Sequence, residues 1–258
     1  MVTIKTEEEI IKLKKGGSIL ASVLRELENF IQKNYQKDDF VTKDIDKKCE
    51  EILKQKGVVS SFKNYSYHGS TPYPTQLCVS VNEEVVHGIP GNKKLNSGDI
   101  VSLDLGIVYE KLYTDAAISF VVGLPKKEKD QRLVEVAKRA LEKGITQAIA
   151  GNTIGDIGSA IENQIKSEGF GVIKDYCGHG VGYGVHEEPS IPNYGSKGGG
   201  IVLQEGMVLA IEPMLSMGSP SVFVDSDGWT VKTSDNSPAS HWEHTVAVTS
   251  KGPMILTE

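Results

Sequence analysis

Cysteine is scarce in this 258-residue chain: there are three, Cys49, Cys78 and Cys177. An odd number with no Cys-x-x-Cys spacing argues against a disulfide framework and a thiolate zinc site, so all three are read as free thiols. Long apolar runs are missing as well. No stretch approaches the roughly 20 residues that a membrane-crossing helix needs, and MVTIKTEEEI lacks the apolar centre of a secretion signal. The expectation is a cytoplasmic protein with no membrane contact. Nor is there a surplus of basic charge. Twenty-eight Lys and Arg against 34 Asp and Glu leave −6, which disfavours DNA and anionic lipid as partners. What is present, 39% hydrophobic and 24% charged residues, suits a globular chain with a sizeable core and excludes disorder.

Periodicity divides the chain. Thr6-x-x-Glu9 is a capping-box pattern, and Leu13, Leu20, Leu24, Leu27 and Ile31 follow at helical spacing, with a bend expected at Gly16-Gly17. A second helix begins near Thr42, carries Ile45, Cys49, Ile52 and Leu53, and stops at Gly57. From Val58 to Gly123 the pattern turns to short β-rich runs, Leu77–Val81, Ile100–Tyr109 and Ala117–Val122, between Gly, Pro and Asn. Helical spacing returns at Leu133–Leu141 and again at Ile154–Ile165, and strands dominate from Gly169. Helix, helix, sheet therefore occurs twice. Leu95-Asn-Ser-Gly98-Asp-Ile-Val-Ser-Leu-Asp104 aligns without a gap on Leu203-Gln-Glu-Gly206-Met-Val-Leu-Ala-Ile-Glu212, each preceded by a histidine, His87 and His186. The chain reads as one domain, residues 1–258, made of related halves of about 1–123 and 124–258.

Chemistry gathers on buried charge. Asp104 sits in the apolar strand Val101–Val108 with no base within six residues on either side, and Asp115 follows across a hairpin at Tyr109–Tyr113. Glu212 ends the apolar run Leu209–Ile211, and Glu243 precedes Thr245–Val248. An unpaired buried carboxylate costs several kcal/mol or takes up a proton, so four of them in apolar strands call for divalent cations. His179, between glycines in Cys177-Gly-His-Gly-Val-Gly182, completes a hard, oxygen-rich set suited to Mn²⁺, Fe²⁺, Co²⁺ or Zn²⁺. Five such ligands are too many for one catalytic ion and natural for two, as in dinuclear hydrolases. A calcium loop would draw its acids from one short segment instead.

These residues carry a resemblance to the methionine aminopeptidases of the short, type 1 kind, running from about Lys5 to Pro253. Its motifs are Val81-Asn-Glu-Glu-Val-Val-His87-Gly-Ile-Pro90, Gly98–Asp104, Thr114-Asp115, Gly178–Gly182, His186-Glu-Glu-Pro189, Ile211-Glu-Pro-Met214, Asp227-Gly-Trp-Thr-Val-Lys-Thr233 and Glu243-His-Thr245. The resemblance implies the α/β pita-bread fold, a pseudo-two-fold pair of αβ halves around a curved antiparallel sheet. It also implies hydrolysis of the N-terminal methionine from nascent proteins and peptides with a small second residue. Asp104 is implied to chelate one metal, His179 and Glu212 to hold the other, and Asp115 and Glu243 to bridge both. Glu212 also resembles the family's proton shuttle, His87 the histidine near the scissile amide nitrogen, and His186 the donor to the carbonyl oxygen. Tyr73, Cys78, Trp229 and Phe62 match the methionine pocket.

Two features depart from the family pattern. The loop around residues 66–72 is longer than in common bacterial relatives, and Val185 replaces a bulkier aromatic, which implies a wider pocket. His241 and His244 are expected behind the ligands or at the surface. Lys126, Lys127 and Lys129 read as a solvated helix start, with transient ribosome contact as the other reading, and the molecule is expected to be a monomer. Two further readings use the same fold: an Xaa-Pro aminopeptidase or prolidase, and a binding protein without catalysis.

Overall fold

The computed structural model describes residues 1–66 and 71–258. Among the described residues, four helices and fifteen strands occur in the order α1 (Glu7–Asn34), α2 (Thr42–Lys56), β1 (Val59–Ser60), β2 (Cys78–Val81), β3 (Glu84–Val86), β4 (Ile100–Tyr109), β5 (Leu112–Val121), α3 (Glu128–Ile145), α4 (Ile154–Ser167), β6 (Gly171–Val172), β7 (Cys177–Gly180), β8 (Glu187–Pro192), β9 (Val208–Ile211), β10 (Met214–Ser216), β11 (Val222–Val224), β12 (Val231–Thr233), β13 (Ala239–His241), β14 (Glu243–Thr249) and β15 (Gly252–Ile255). Tyr67, His68, Gly69 and Ser70, and with them most of the lengthened loop noted above, lie outside the described residues.

The capping box at Thr6 forms as expected, with Glu9 closing it. Helix α1 then runs unbroken through Gly16 and Gly17. Those glycines serve close approach instead: a Cβ on Gly17 would lie 2.2 Å from the Leu256 carbonyl oxygen, and one on Gly16 would crowd Tyr109. Strand β5 begins at Leu112, five residues before the apolar run that announced it, because it pairs with β4 as far as Tyr109↔Leu112. Glu110 and Lys111 both take positive φ, 47° and 68°, in the tight turn between them. Such a two-residue turn matches the twist of its flanking strands.

The main sheet is antiparallel, ordered β1-β4-β5-β14-β9-β7-β8, with β2 on β4 and β15 on β14. Alternation sorts its side chains. Val101, Leu103, Leu105 and Ile107 join one core with Leu20, Leu24, Ile45 and Ile52 of α1 and α2. Leu209, Ile211, Val246 and Val248 join a second with Leu133, Ala137, Ile157 and Ile161 of α3 and α4.

The two aligned segments fold alike. Gly98 and Gly206 share φ 85°. Gly98 N donates to Val122 O at 2.7 Å and Gly206 N to Val248 O at 2.9 Å, while Thr42 N donates to Lys93 O and Ile154 N to Ile201 O. Bridges Val41↔Lys94 and Thr153↔Val202 repeat the match at the starts of α2 and α4. Each aligned segment thus feeds one strand into the main sheet, with Asp104 midway along β4 and Glu212 just past the end of β9.

Candidate metal centre and substrate cleft

The face of the sheet opposite the helices carries the candidate ligands. Strand neighbours that sit directly opposite one another share a face. Asp104 pairs with Ala117, which pairs with Glu243. Asp115, two residues from Ala117, donates its N–H to Thr245 Oγ1 at 2.9 Å, Thr245 pairs with Ala210, and Ala210 with His179. Glu212 lies two residues beyond Ala210. Five consecutive strands, β4, β5, β14, β9 and β7, therefore deliver the five residues or end beside them, and Ala117 and Ala210 keep the floor between them low. One oxygen or nitrogen from each of Asp115, His179 and Glu243 falls within 4.8 Å of the others.

Electrostatics mark this cluster as incomplete without cations. Asp104 Oδ1, Asp115 Oδ1 and Glu243 Oε1 are buried with no hydrogen-bond partner. Among the described residues no lysine or arginine pairs with any of the four acids; only His179 Nε2, at 3.6 Å, and His241 Nε2, at 3.1 Å, approach Glu212. The carboxyls respond as crowded buried acids do. Burial, then Glu212, push Asp115 up to about 8. Asp104 is raised by burial, Asp115 and Glu212, and Glu243 by burial, Asp115, Glu212 and Asp104. Burial holds His179 down at about 3. Its Nδ1 donates to Gly180 O at 2.9 Å, since a carbonyl only accepts, and this leaves the Nε2 lone pair facing the acids. The donor set fits divalent cations.

The cluster floors a cavity of about 450 Å³. Every candidate named from the sequence lines it: Asp104, Asp115, His179, Glu212, Glu243, His87, His186, Phe62, Tyr73, Cys78 and Trp229. Cys78 pairs with Asp104, so the apolar wall starts beside the acids. Tyr73 meets Trp229 edge-on at 5.3 Å, Tyr73 Oη donates to Gly88 O at 3.0 Å, and Trp229 Nε1 to Thr71 O at 2.8 Å. With their polar tips satisfied outside, these rings present apolar surface inward. Val185 packs with Phe62, Tyr73 and Cys78.

His87 and His186 both line the cavity. His87 is fixed at φ 59° between Trp229 and Tyr176, with ring centroids 6.1 and 5.9 Å away. His186 Nδ1 lies 2.8 Å from Tyr65 Oη, and its ring is 4.5 Å from that of His179. Burial lowers the pKa of both, to about 4 for His87. Sequence reasoning missed Tyr65 and Tyr176, which sit in irregular segments where no period or motif marks an aromatic. His241 is buried behind Glu212, its Nε2 out of line for a hydrogen bond despite the short approach. His244 Nδ1 lies 2.9 Å from Thr257 Oγ1.

The model of metallopeptidase family M24 matches residues 11–250. The chain belongs to metallopeptidase family M24. Methionine aminopeptidase from Mycoplasma capricolum is 42% identical to this M24 chain over 258 residues, 100% of the chain and 99% of the relative. A crystal structure of methionine aminopeptidase from Thermotoga maritima matches at 45% identity with a TM-score of 0.93, covering 100% of both. Prolidase from Pyrococcus furiosus shares the architecture at 25% identity and a TM-score of 0.73, and the M24 chain spans 65% of it. The fold is the pita-bread fold common to these enzymes.

Proposed function

We propose that this cleft removes the N-terminal methionine from peptides and nascent proteins whose second residue is small. The chain is a metal-dependent aminopeptidase. One observation carries the reading: orphaned acid oxygens and a free imidazole lone pair converge beside an apolar pocket, in a chain that aligns end to end with methionine aminopeptidases.

Two cations, drawn from Co²⁺, Mn²⁺, Fe²⁺ and Zn²⁺, would be held by Asp104 on one side and by His179 and Glu212 on the other, with Asp115 and Glu243 shared. Divalent cations bound there supply an acidified water and Lewis-acid polarisation of a carbonyl. The protein's own groups do the rest. Phe62, Tyr73, Cys78 and Trp229 take the thioether side chain against soft, aromatic walls. In the tautomer whose Nδ1 accepts from Tyr65 Oη, 2.8 Å away, His186 presents Nε2–H to the carbonyl oxygen and stabilises the charge that develops there. His87 meets the scissile amide nitrogen. Glu212, whose carboxylate borders the cleft, moves the proton from the attacking water to the departing amine.

The same reading makes residues 1–258 one catalytic unit whose halves meet near residues 123 and 124. It acts in the cytoplasm as a monomer, with at most transient contact to the ribosome. The test is a competition between Met-Ala-Ser and Ala-Pro-Ser peptides on protein reconstituted with Co²⁺ or Mn²⁺. Release of methionine alone is expected. Preferred cleavage of the Xaa-Pro peptide would transfer the chain to the prolidase reading, and tight metal binding with no turnover would leave a binding protein.

A further inference from the structure

Glu187 follows His186 and takes no part in the chemistry above, yet both its oxygens are engaged. Oε1 accepts from the N–H of Gly184 at 2.9 Å and from that of Tyr183. Oε2 accepts from Lys5 Nζ at 2.7 Å and from Thr3 Oγ1. The Lys5 side chain is 1% exposed and that of Glu187 10%, so this ion pair is buried. Lys5 Nζ also bonds Thr3 Oγ1 and stands 5.0 Å over the Tyr183 ring.

The backbone is shaped to receive this segment. Lys5 N donates to Gly206 O at 2.8 Å. A Cβ on Gly182, at φ 140°, would lie 2.3 Å from Lys5 Cε, and one on Gly206, at φ 85°, 2.6 Å from Ile4 Cγ2. Residues 3–5 thus lie as a strap between the turn that opens the second repeated segment and the turn of residues 182–187. A buried ion pair is a poor source of net stability compared with apolar packing, so its retention at this spot asks for another account. Its geometry supplies one. Glu187 closes the turn that leads into His186, while Tyr65 Oη contacts the imidazole at Nδ1.

We propose that the Lys5–Glu187 ion pair positions His186: the strap of residues 3–5 holds the turn of residues 182–187 so that the imidazole points into the cleft. Lys5 and Glu187 are positioning residues and touch no substrate. The inference rests on His186 acting as donor to the carbonyl oxygen.

The test places Lys5→Met and Glu187→Gln in the otherwise unchanged chain and in a His186→Ala background, with Mn²⁺-loaded protein and Met-Ala-Ser peptide. In the unchanged background each variant should lower kcat about 10-fold or more, as a misplaced catalytic group does. KM and Mn²⁺ affinity should stay within about twofold, and the His186→Ala background should show no further loss. In metal-free protein the amides of Tyr183 and Gly184 should exchange faster. Unchanged kcat, an equal proportional loss in both backgrounds, or loss of Mn²⁺ binding would overturn the proposal. Should Lys5→Met fail to fold, Glu187→Gln, which keeps the shape of the side chain, decides alone. If His186→Ala itself leaves kcat intact, the donor assignment fails, whereas equal losses in the two backgrounds spare that assignment and remove the strap.

Discussion

Among the described residues no cationic side chain pairs with Asp115 or Glu243, so replacing either should be felt first in metal binding. Outer partners of a metal ligand already cost about 10- to 100-fold in affinity when lost. Asp115→Ala and Glu243→Ala should exceed that by calorimetric titration with Mn²⁺ and should lose turnover in parallel. His186→Ala should lower kcat by about 10²- to 10³-fold, the usual cost of one oxyanion donor, with metal content unchanged. The acids also set a pH dependence in metal-free protein. Burial and mutual repulsion raise their folded-state pKa values, Asp115 to about 8, so the folded chain holds protons there that the unfolded chain releases. Stability must then fall as pH rises. The neutral buried histidines act oppositely, but only below the unfolded imidazole value near 6.5. From about pH 7 to 8 the acids outweigh the fading histidine contribution, each adding up to about 1.4 kcal/mol per pH unit. Thermal unfolding in EDTA should show a midpoint that drops across this window, and Mn²⁺ should remove the drop.

Strands β4 and β5 show how an element can be legible in part. Ile100–Tyr109 announces itself by its branched apolar run, and the structure agrees residue for residue. Leu112–Ala116 does not, because Asp115 interrupts the apolar pattern; its strand state comes from the ladder to β4 and from Thr245 on β14. The turn between the strands carries two side chains in a conformation that favours glycine, each costing of the order of 1 kcal/mol. Lys111→Gly should therefore raise the thermal midpoint by about 2–4 °C, read by calorimetry on metal-loaded protein. Gly17→Ala should do the reverse by driving α1 off the carbonyl of Leu256. The bend expected at Gly16-Gly17 does not form, because a glycine can either break a helix or let a neighbour approach it closely. At that position it is a spacer, and only the partner's location distinguishes the two.

In the whole molecule the candidate cleft draws on both aligned parts of the chain: β4 and β5 bring Asp104 and Asp115, and β7, β9 and β14 bring or end beside His179, Glu212 and Glu243. Light scattering should give a mass near the 28.0 kDa of one chain, since both halves are already present in it. The four helices, the aligned segments around Gly98 and Gly206 and the candidate ligands are legible in residue order, because periodicity and uncompensated buried charge are local properties. Tertiary structure alone decided which atoms meet. The row from Asp104 through Ala117 to Glu243, the Tyr65 contact to His186 and the strap of Lys5 on Glu187 join residues far apart in the chain. Such contacts follow from strand register and loop path, which depend on the packing of the entire sheet and leave no local mark in the amino-acid order.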